Sequence, residues 1–156
     1  MCELWGWETI FQLVLTVILG GLIGLERELV RREAGLRTFI LVCLGATLFT
    51  LISFKVSQSL IGKPGVEFDP SRIIGQIVLG IGFLGAGLII FREARIEGLT
   101  TAAALWMTAA IGVAIGAGFY FLAIFATFLA ILILAGFRVI EEKLLRTKRF
   151  KETHEG

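Results

Sequence analysis

Residues 99–137 carry no charged side chain. As one straight α-helix this run would be about 58 Å long at 1.5 Å per residue, roughly twice a bilayer's hydrocarbon thickness of about 30 Å. It must therefore turn back on itself, and Gly116-Ala117-Gly118 is the best place for the turn. Three more apolar segments precede it, so five stretches approach the roughly 20 apolar residues that a membrane crossing needs. They are 7–25, 36–54, 73–91, 99–118 and 119–137. Arg37 lies in the first turn of the second, where a long side chain can snorkel to the interface. The expected fold is an all-α, polytopic membrane helix bundle of about five transmembrane helices over residues 1–137. A basic tail, partly helical, follows at 138–156.

Composition points the same way. With 56% hydrophobic and 18% charged residues, a soluble domain of this length would lack the polar surface to cover its core. No Lys or Arg precedes the first apolar stretch and no small-residue cleavage site follows it, so it does not read as a cleaved signal peptide. Cys2 lies too near the start for a lipoprotein signal, and Cys43 reads as a small buried apolar residue. Two such cysteines make neither a disulfide framework nor a zinc site.

The basic residues orient the spans. The links 26–38 and 92–98 and the tail hold 12 of the 15, and five spans put all three regions on one side. The opposite side keeps Lys55, Lys63 and Arg72. The positive-inside rule then places the N-terminus outside and the C-terminus in the cytoplasm, with Trp5 and Trp7 as outer interfacial anchors. Because the charges flank apolar spans, the net charge of +2 does not indicate a nucleic-acid partner; the lipid bilayer is the expected one.

The long outer link contains turn chemistry at Gly62-Lys63-Pro64-Gly65, then Asp69-Pro70. Asp69 reads as a helix N-cap with Pro70 at the first helical position, or alternatively as a cation contact. A weak internal repeat aligns 24–38 with 87–101, each leaving a glycine-rich helix and re-entering through Gly-Leu-x-Thr. In the tail, Glu142 and Arg146 are spaced for an i,i+4 pair, and six basic residues favour an anionic leaflet.

Two constellations are candidates for function. The first is small residues: Gly20 and Gly24, then Gly112 and Gly116, form GxxxG pairs, while Gly80, Gly82, Gly85 and Gly87 crowd one helix. Lipid gives little hydrophobic drive for association, so such residues are expected to pack helices closely; glycines 80–87 alternatively leave room for a permeation path. The second is a layer of charged and polar groups at the cytoplasmic boundary: Glu26, Arg27, Arg37, Thr38, Glu97, Thr100 and Thr101, with Arg72 and Trp106 grouped with them. Thr38, Thr100 and Thr101 read as N-caps behind Gly35 and Gly98, and Glu26 is placed to pair with Arg37. Glu26 and Asp69 are the candidate metal contacts, with Mg2+ the ion considered.

No ionisable residue lies near the middle of any span, where neutral groups such as Gln12, Thr47 and Thr108 occur instead. An intramembrane ionisable group is the usual mark of an ion relay, so one chain shows no evident divalent-cation pathway. There is no Ser/His/Asp set, metal-ligand cluster or phosphate loop, so neither an enzyme nor a bound cofactor is expected.

Several blocks, in order, resemble the MgtC/SapB membrane-protein family. They are Gly20-Gly21-Leu22-Ile23-Gly24-Leu25-Glu26-Arg27-Glu28, Ala34-Gly35-Leu36-Arg37-Thr38, Arg72-Ile73, Gly80-Ile81-Gly82-Phe83-Leu84-Gly85-Ala86-Gly87, and Gly98-Leu99-Thr100-Thr101-Ala102-Ala103 with Trp106. The resemblance implies a multi-pass protein of the bacterial inner membrane, linked to magnesium limitation, acid tolerance and, in pathogens, survival inside host cells. It further implies a regulator more than a pump, modulation of the proton-translocating ATP synthase being attributed to one member. The glycine faces and the charged layer give the expected partner as another membrane protein or, in a homo-oligomer, a second copy of this chain. The alternative is a channel or transporter for Mg2+, H+ or a small solute. Longer relatives carry an ACT-like C-terminal domain; this sequence ends at Gly156 after a basic tail, as expected of the short form.

Overall fold

The computed structural model describes residues 4–60, 69–92 and 95–138. The turn cluster at 62–65, Glu93 and the tail from 139 onward lie outside the described residues, as do the side chains of Trp5 and Arg92. Within them the chain forms α1 (Leu4–Leu29), α2 (Leu36–Leu60), α3 (Pro70–Leu88), β1 (Ile90–Arg92), β2 (Arg95–Glu97), α4 (Leu99–Gly116) and α5 (Tyr120–Ile131). A π-helical turn, Leu132–Gly136, extends α5. Helices α1 to α4 are each long and apolar enough to cross a membrane, and Tyr120–Gly136 is a shorter apolar helix. The fold is an all-α membrane bundle. Hydrocarbon offers no hydrogen-bond partners, so a crossing segment must satisfy its backbone internally, which a helix does.

Several helix ends have a local cause. At the end of α1 the Arg32 N–H donates to the Arg27 carbonyl (3.1 Å) and the Arg31 N–H to that of Glu28 (3.0 Å). This is a Schellman cap, and Arg31 holds its left-handed position at φ 55°. Asp69 caps α3 by accepting from the Ser71 N–H (2.8 Å), with Pro70 opening the helix. Between α4 and α5 the chain reverses at Gly118, whose φ of 83° suits glycine.

The segment between α3 and α4 departs from the all-helical expectation. The third helix does not run on to Phe91: it ends at Leu88, and β1 and β2 pair antiparallel, Ile90 with Glu97, Phe91 with Ile96 and Arg92 with Arg95. β-Branched, aromatic and arginine residues alternate there, a pattern that suits a short two-stranded ribbon. Gly98, at φ 88°, then turns the chain into α4, and a Cβ there would collide with the Leu88 carbonyl.

Helix α2 lies between α1, which runs antiparallel to it, and α4, which runs parallel. Both interfaces rest on GxxxG pairs. A Cβ on Gly20 would fall 2.8 Å from Cys43 Cβ, and one on Gly24 would fall 2.8 Å from Leu36 Cα. On the other side, a Cβ on Gly112 would fall 2.9 Å from Ala46 Cβ, and one on Gly116 would fall 2.7 Å from Thr50 Cβ. All four contacts are closer than real Cβ atoms come, so glycine sets the interhelical distance. The core between the helices contains Leu19, Ile23, Phe39, Cys43, Leu105, Ile111 and Ile115.

Helix α3 is peripheral. Only 11% of its apolar window is buried, against 56% of that of α4. Gly85 meets Ala102 at 3.6 Å, but a Cβ on Gly80, Gly82 or Gly87 would meet nothing within 4 Å. These three glycines therefore do not pack helices within the chain, contrary to the expectation from sequence. Composition marks a small-residue face without saying what lies against it.

Candidate functional site

Two polar regions stand at opposite ends of the bundle. At the first, where α1 ends and α2 and α4 begin, Arg27 is buried (2% exposed) and its Nε donates to the Glu26 carboxylate. Glu28 reaches across the turn and accepts from the Leu36 N–H (3.0 Å), capping α2 from a distance. Glu33 accepts from the buried Thr101 hydroxyl (3.0 Å), tying the α1–α2 link to α4. Its carboxyl is held below the ordinary value of 4.5, chiefly by a backbone N–H, which outweighs the opposing effect of desolvation with smaller help from Thr101, Arg32 and Arg27.

This layer differs in detail from the one expected. Glu26 pairs with its neighbour Arg27, and among the described residues it makes no ion pair with Arg37, which is exposed. Thr38, Thr100 and Thr101 sit within the first turns of their helices; Gly98 occupies the N-cap of α4, without a side-chain bond. Glu97 lies exposed on β2. Trp106, half exposed in mid-α4, lines a groove against Ile74 and Val78 of α3. Arg72 stands at the N-terminus of α3, beside Asp69 and apart from Arg27.

The two candidate metal contacts are not brought together. Glu26 is held by Arg27, and both oxygens of Asp69 are engaged by Ser71, its N–H and its hydroxyl each at 2.8 Å. Those two bonds, with help from Arg72, hold the Asp69 carboxyl below its ordinary 3.8. Among the described residues no group of three or more His, Cys, Asp or Glu side chains could hold a metal ion.

The second polar region is a column that the sequence reading did not assemble. The Gln12 Nε2 donates to the Ile115 carbonyl of α4 (3.0 Å), and the Thr16 hydroxyl approaches both the Gln12 carbonyl (2.7 Å) and the Thr47 hydroxyl (2.9 Å). Thr47 donates to the Gly112 carbonyl (2.9 Å). At the column's mouth the Tyr120 hydroxyl donates to Glu8 Oε1 (3.1 Å). The mouth is a cleft of about 270 Å³ lined by residues that include Glu8, Gln12, Phe54, Gln58, Gly116 and Gly118. The signal for it lay in spacing: Glu8, Gln12 and Thr16 recur every four residues on α1, and Gly20 and Gly24 continue the same face.

The column ends in the middle of the bundle. Between Thr16–Thr47 and Arg27 the interior is filled by Leu19, Ile23, Phe39, Cys43 and Leu105, all buried and apolar or weakly polar. A separate apolar groove of about 560 Å³ lies between α2 and α3, lined by Val42, Gly45, Phe49, Gln76, Gly80 and Leu84 among others.

Comparison with known proteins gives the chain's family. The sequence profile of the MgtC family matches residues 13–143. YhiD of Escherichia coli K12 is 43% identical over 138 residues, covering 88% of this chain and 64% of YhiD. MgtC of Brucella abortus is 43% identical over 141 residues, covering 88% of this chain and 56% of that protein. SrpB of Synechococcus elongatus is 38% identical over 139 residues, covering 84% of this chain and 75% of SrpB. This chain thus spans a little under two thirds of YhiD and a little over half of the Brucella protein. No solved structure matches it. With a profile running from the first helix past the last, and relatives this similar along most of its length, the chain belongs to the MgtC family.

Proposed function

We propose that this protein is a non-enzymatic regulator in the bacterial inner membrane, tuning magnesium or proton homeostasis through contact with another membrane protein or a second copy of itself. In this reading the arginine-rich end faces the cytoplasm and the Glu8 end faces outward. The observation that carries it is the dry stretch between the two polar regions. Leu19, Ile23, Phe39 and Leu105 fill the interior between Thr47 and Arg27, which argues against a hydrated path through one chain. The outward face of α3, with Gly82 and Gly87 open and Leu79 and Phe83 exposed, supplies a surface for another helix.

The link to magnesium is supported by the relatives: the name carried by YhiD proposes magnesium transport. The second reading, a transporter, draws on that name and on the glycine-lined groove between α2 and α3. Flux of Mg2+ and H+ into proteoliposomes separates the two readings. The regulator gives none above protein-free vesicles, while photo-crosslinkers at Leu79 or Gly82 capture a defined membrane protein in cells. Saturable, ion-selective flux from the purified chain would overturn it.

A further inference from the structure

Helix α3 carries a polar side chain that nothing near it in the chain uses. Gln76 lies six residues inside the start of the helix at Pro70, about 9 Å at 1.5 Å per residue. That is deeper than an amide on two methylenes reaches back. It is exposed, and among the described residues no hydrogen bond reaches its amide. The groove beside it is otherwise lined by apolar residues, Val42, Phe49 and Leu84 among them. Elsewhere in the spans, Gln12, Thr16, Thr47, Thr50, Thr108 and Thr127 are buried, and each donates a hydrogen bond inside the bundle. An exposed leucine or phenylalanine on α3 needs no account in lipid. An exposed amide does, because hydrocarbon offers it neither donor nor acceptor.

Gln76 belongs to a seam. Gln76, Gly80, Phe83 and Gly87 follow one another at intervals of four, three and four residues, the heptad rhythm of two helices packed at a shallow angle. All four are exposed, Phe83 at 81%. A Cβ on Gly80 or Gly87 would meet nothing within 4 Å. The seam thus runs amide, gap, aromatic ring, gap, and none of it is used by the contacts that bury Ile81 and Gly85 against the bundle.

A second copy of the chain suits both the amide and the seam. Two copies inserted the same way are related by a two-fold axis along the membrane normal, so their α3 helices run parallel and each seam residue meets its own counterpart at the same depth. A glutamine amide is donor and acceptor at once, so two of them bond reciprocally. The glycine layers on either side of Phe83 leave room for two rings across the axis. Any other partner must bring its own polar group to this depth; a second copy does so by symmetry.

We infer that α3 pairs in parallel with α3 of a second copy, the two Gln76 amides hydrogen-bonded across a two-fold axis and the Phe83 rings seated between the layers of Gly80 and Gly87. The role of this dimer in regulation rests on the reading proposed above; the contact itself rests on the unbonded amide. Leu79 and Gly82 lie off the seam.

The test is single-molecule photobleaching and energy transfer on the full chain in liposomes of phosphatidylethanolamine and phosphatidylglycerol, over a range of protein-to-lipid ratios. Wild type is compared with Gln76→Leu, Gln76→Asn, Phe83→Ala and Val78→Ala. The wild type dimerises, and Gln76→Leu raises its dissociation constant about tenfold, the scale of two interhelical hydrogen bonds. Phe83→Ala weakens pairing by less, and Gln76→Asn keeps most of it. Val78→Ala, on the groove toward Trp106, leaves it unchanged. In a Cys2→Ser background, Gly87→Cys gives a disulfide-linked dimer and Val78→Cys does not. A wild type that stays monomeric or assembles beyond two copies overturns the pairing. So does a dimer undiminished by both Gln76→Leu and Phe83→Ala, or one cross-linked through Val78→Cys in place of Gly87→Cys. Ion flux is read separately: a monomer without flux sinks the dimer and leaves the regulator with a different protein as its partner.

Discussion

The hydroxyls of Thr16 and Thr47 lie 2.9 Å apart across the α1–α2 interface, and both are completely buried. Three short contacts there share two hydroxyl protons: Thr16 to the Gln12 carbonyl, Thr16 with Thr47, and Thr47 to the Gly112 carbonyl. One proton is therefore shared between two acceptors. Thr47→Val removes the donor that joins α2 to α4, whereas Thr16→Val removes a bond that closes largely within α1. The first variant loses about 0.6 to 1.7 kcal/mol, the range for interhelical hydrogen bonds in membranes, and the second loses less. Denaturation of the two single variants and the double variant in detergent gives the coupling.

Glycine substitutions split by position. Gly20→Ala, Gly24→Ala, Gly112→Ala and Gly116→Ala each force a methyl into a contact of 2.9 Å or less and cost about 1–3 kcal/mol. Gly82→Ala and Gly80→Ala meet open space within the chain and are neutral, or stabilising by up to about 1 kcal/mol through helix propensity. Thermal unfolding of the purified variants separates the two groups. A Gly82→Ala protein that is stable but loses its cross-link partner places that glycine at an intermolecular interface.

Arg31 holds the left-handed position of the α1 cap at φ 55°, a conformation that costs an L-residue about 1–2 kcal/mol. Arg31→Gly keeps the two capping bonds and relieves that cost, so the variant is more stable by about 1 kcal/mol. A lower Tm for Arg31→Gly would show that the arginine's charge outweighs its backbone strain.

Glu33 links stability to pH. Its folded carboxyl titrates below the ordinary 4.5, so its contribution is complete above that value and is lost as pH falls through the lower folded one. Thr101→Val removes one of the bonds that lower it, moving the folded value upward and shrinking the loss of stability on acidification. NMR titration of the Glu33 carboxyl in both proteins, with unfolding followed against pH, measures the shift and its sign.

Much of the fold was legible because a hydrocarbon solvent leaves few choices. The charge-free run at 99–137 demanded a reversal, and Gly118 supplies it; Asp69-Pro70 announced the start of α3 with only local chemistry. The pairing of β1 with β2 was hidden, because a short charged link between spans reads as a loop whether or not its strands pair. The charged layer was legible in its place and not in its pairs. Glu33 meets Thr101 across 68 positions of sequence, and Arg27 takes its partner from the adjacent residue and not from the facing helix.

The sequence by itself determined that this chain crosses a membrane as helices, since backbone groups in lipid must be satisfied within their own segment and apolar length alone reveals such segments. Only the tertiary structure decided which glycines set interhelical distances and which face outward, and that Gln12 reaches Ile115, 103 positions away. Both depend on the rotation of each helix about its own axis. That rotation is set by van der Waals contact with neighbouring helices, which lipid, as apolar as the helices themselves, does not dictate.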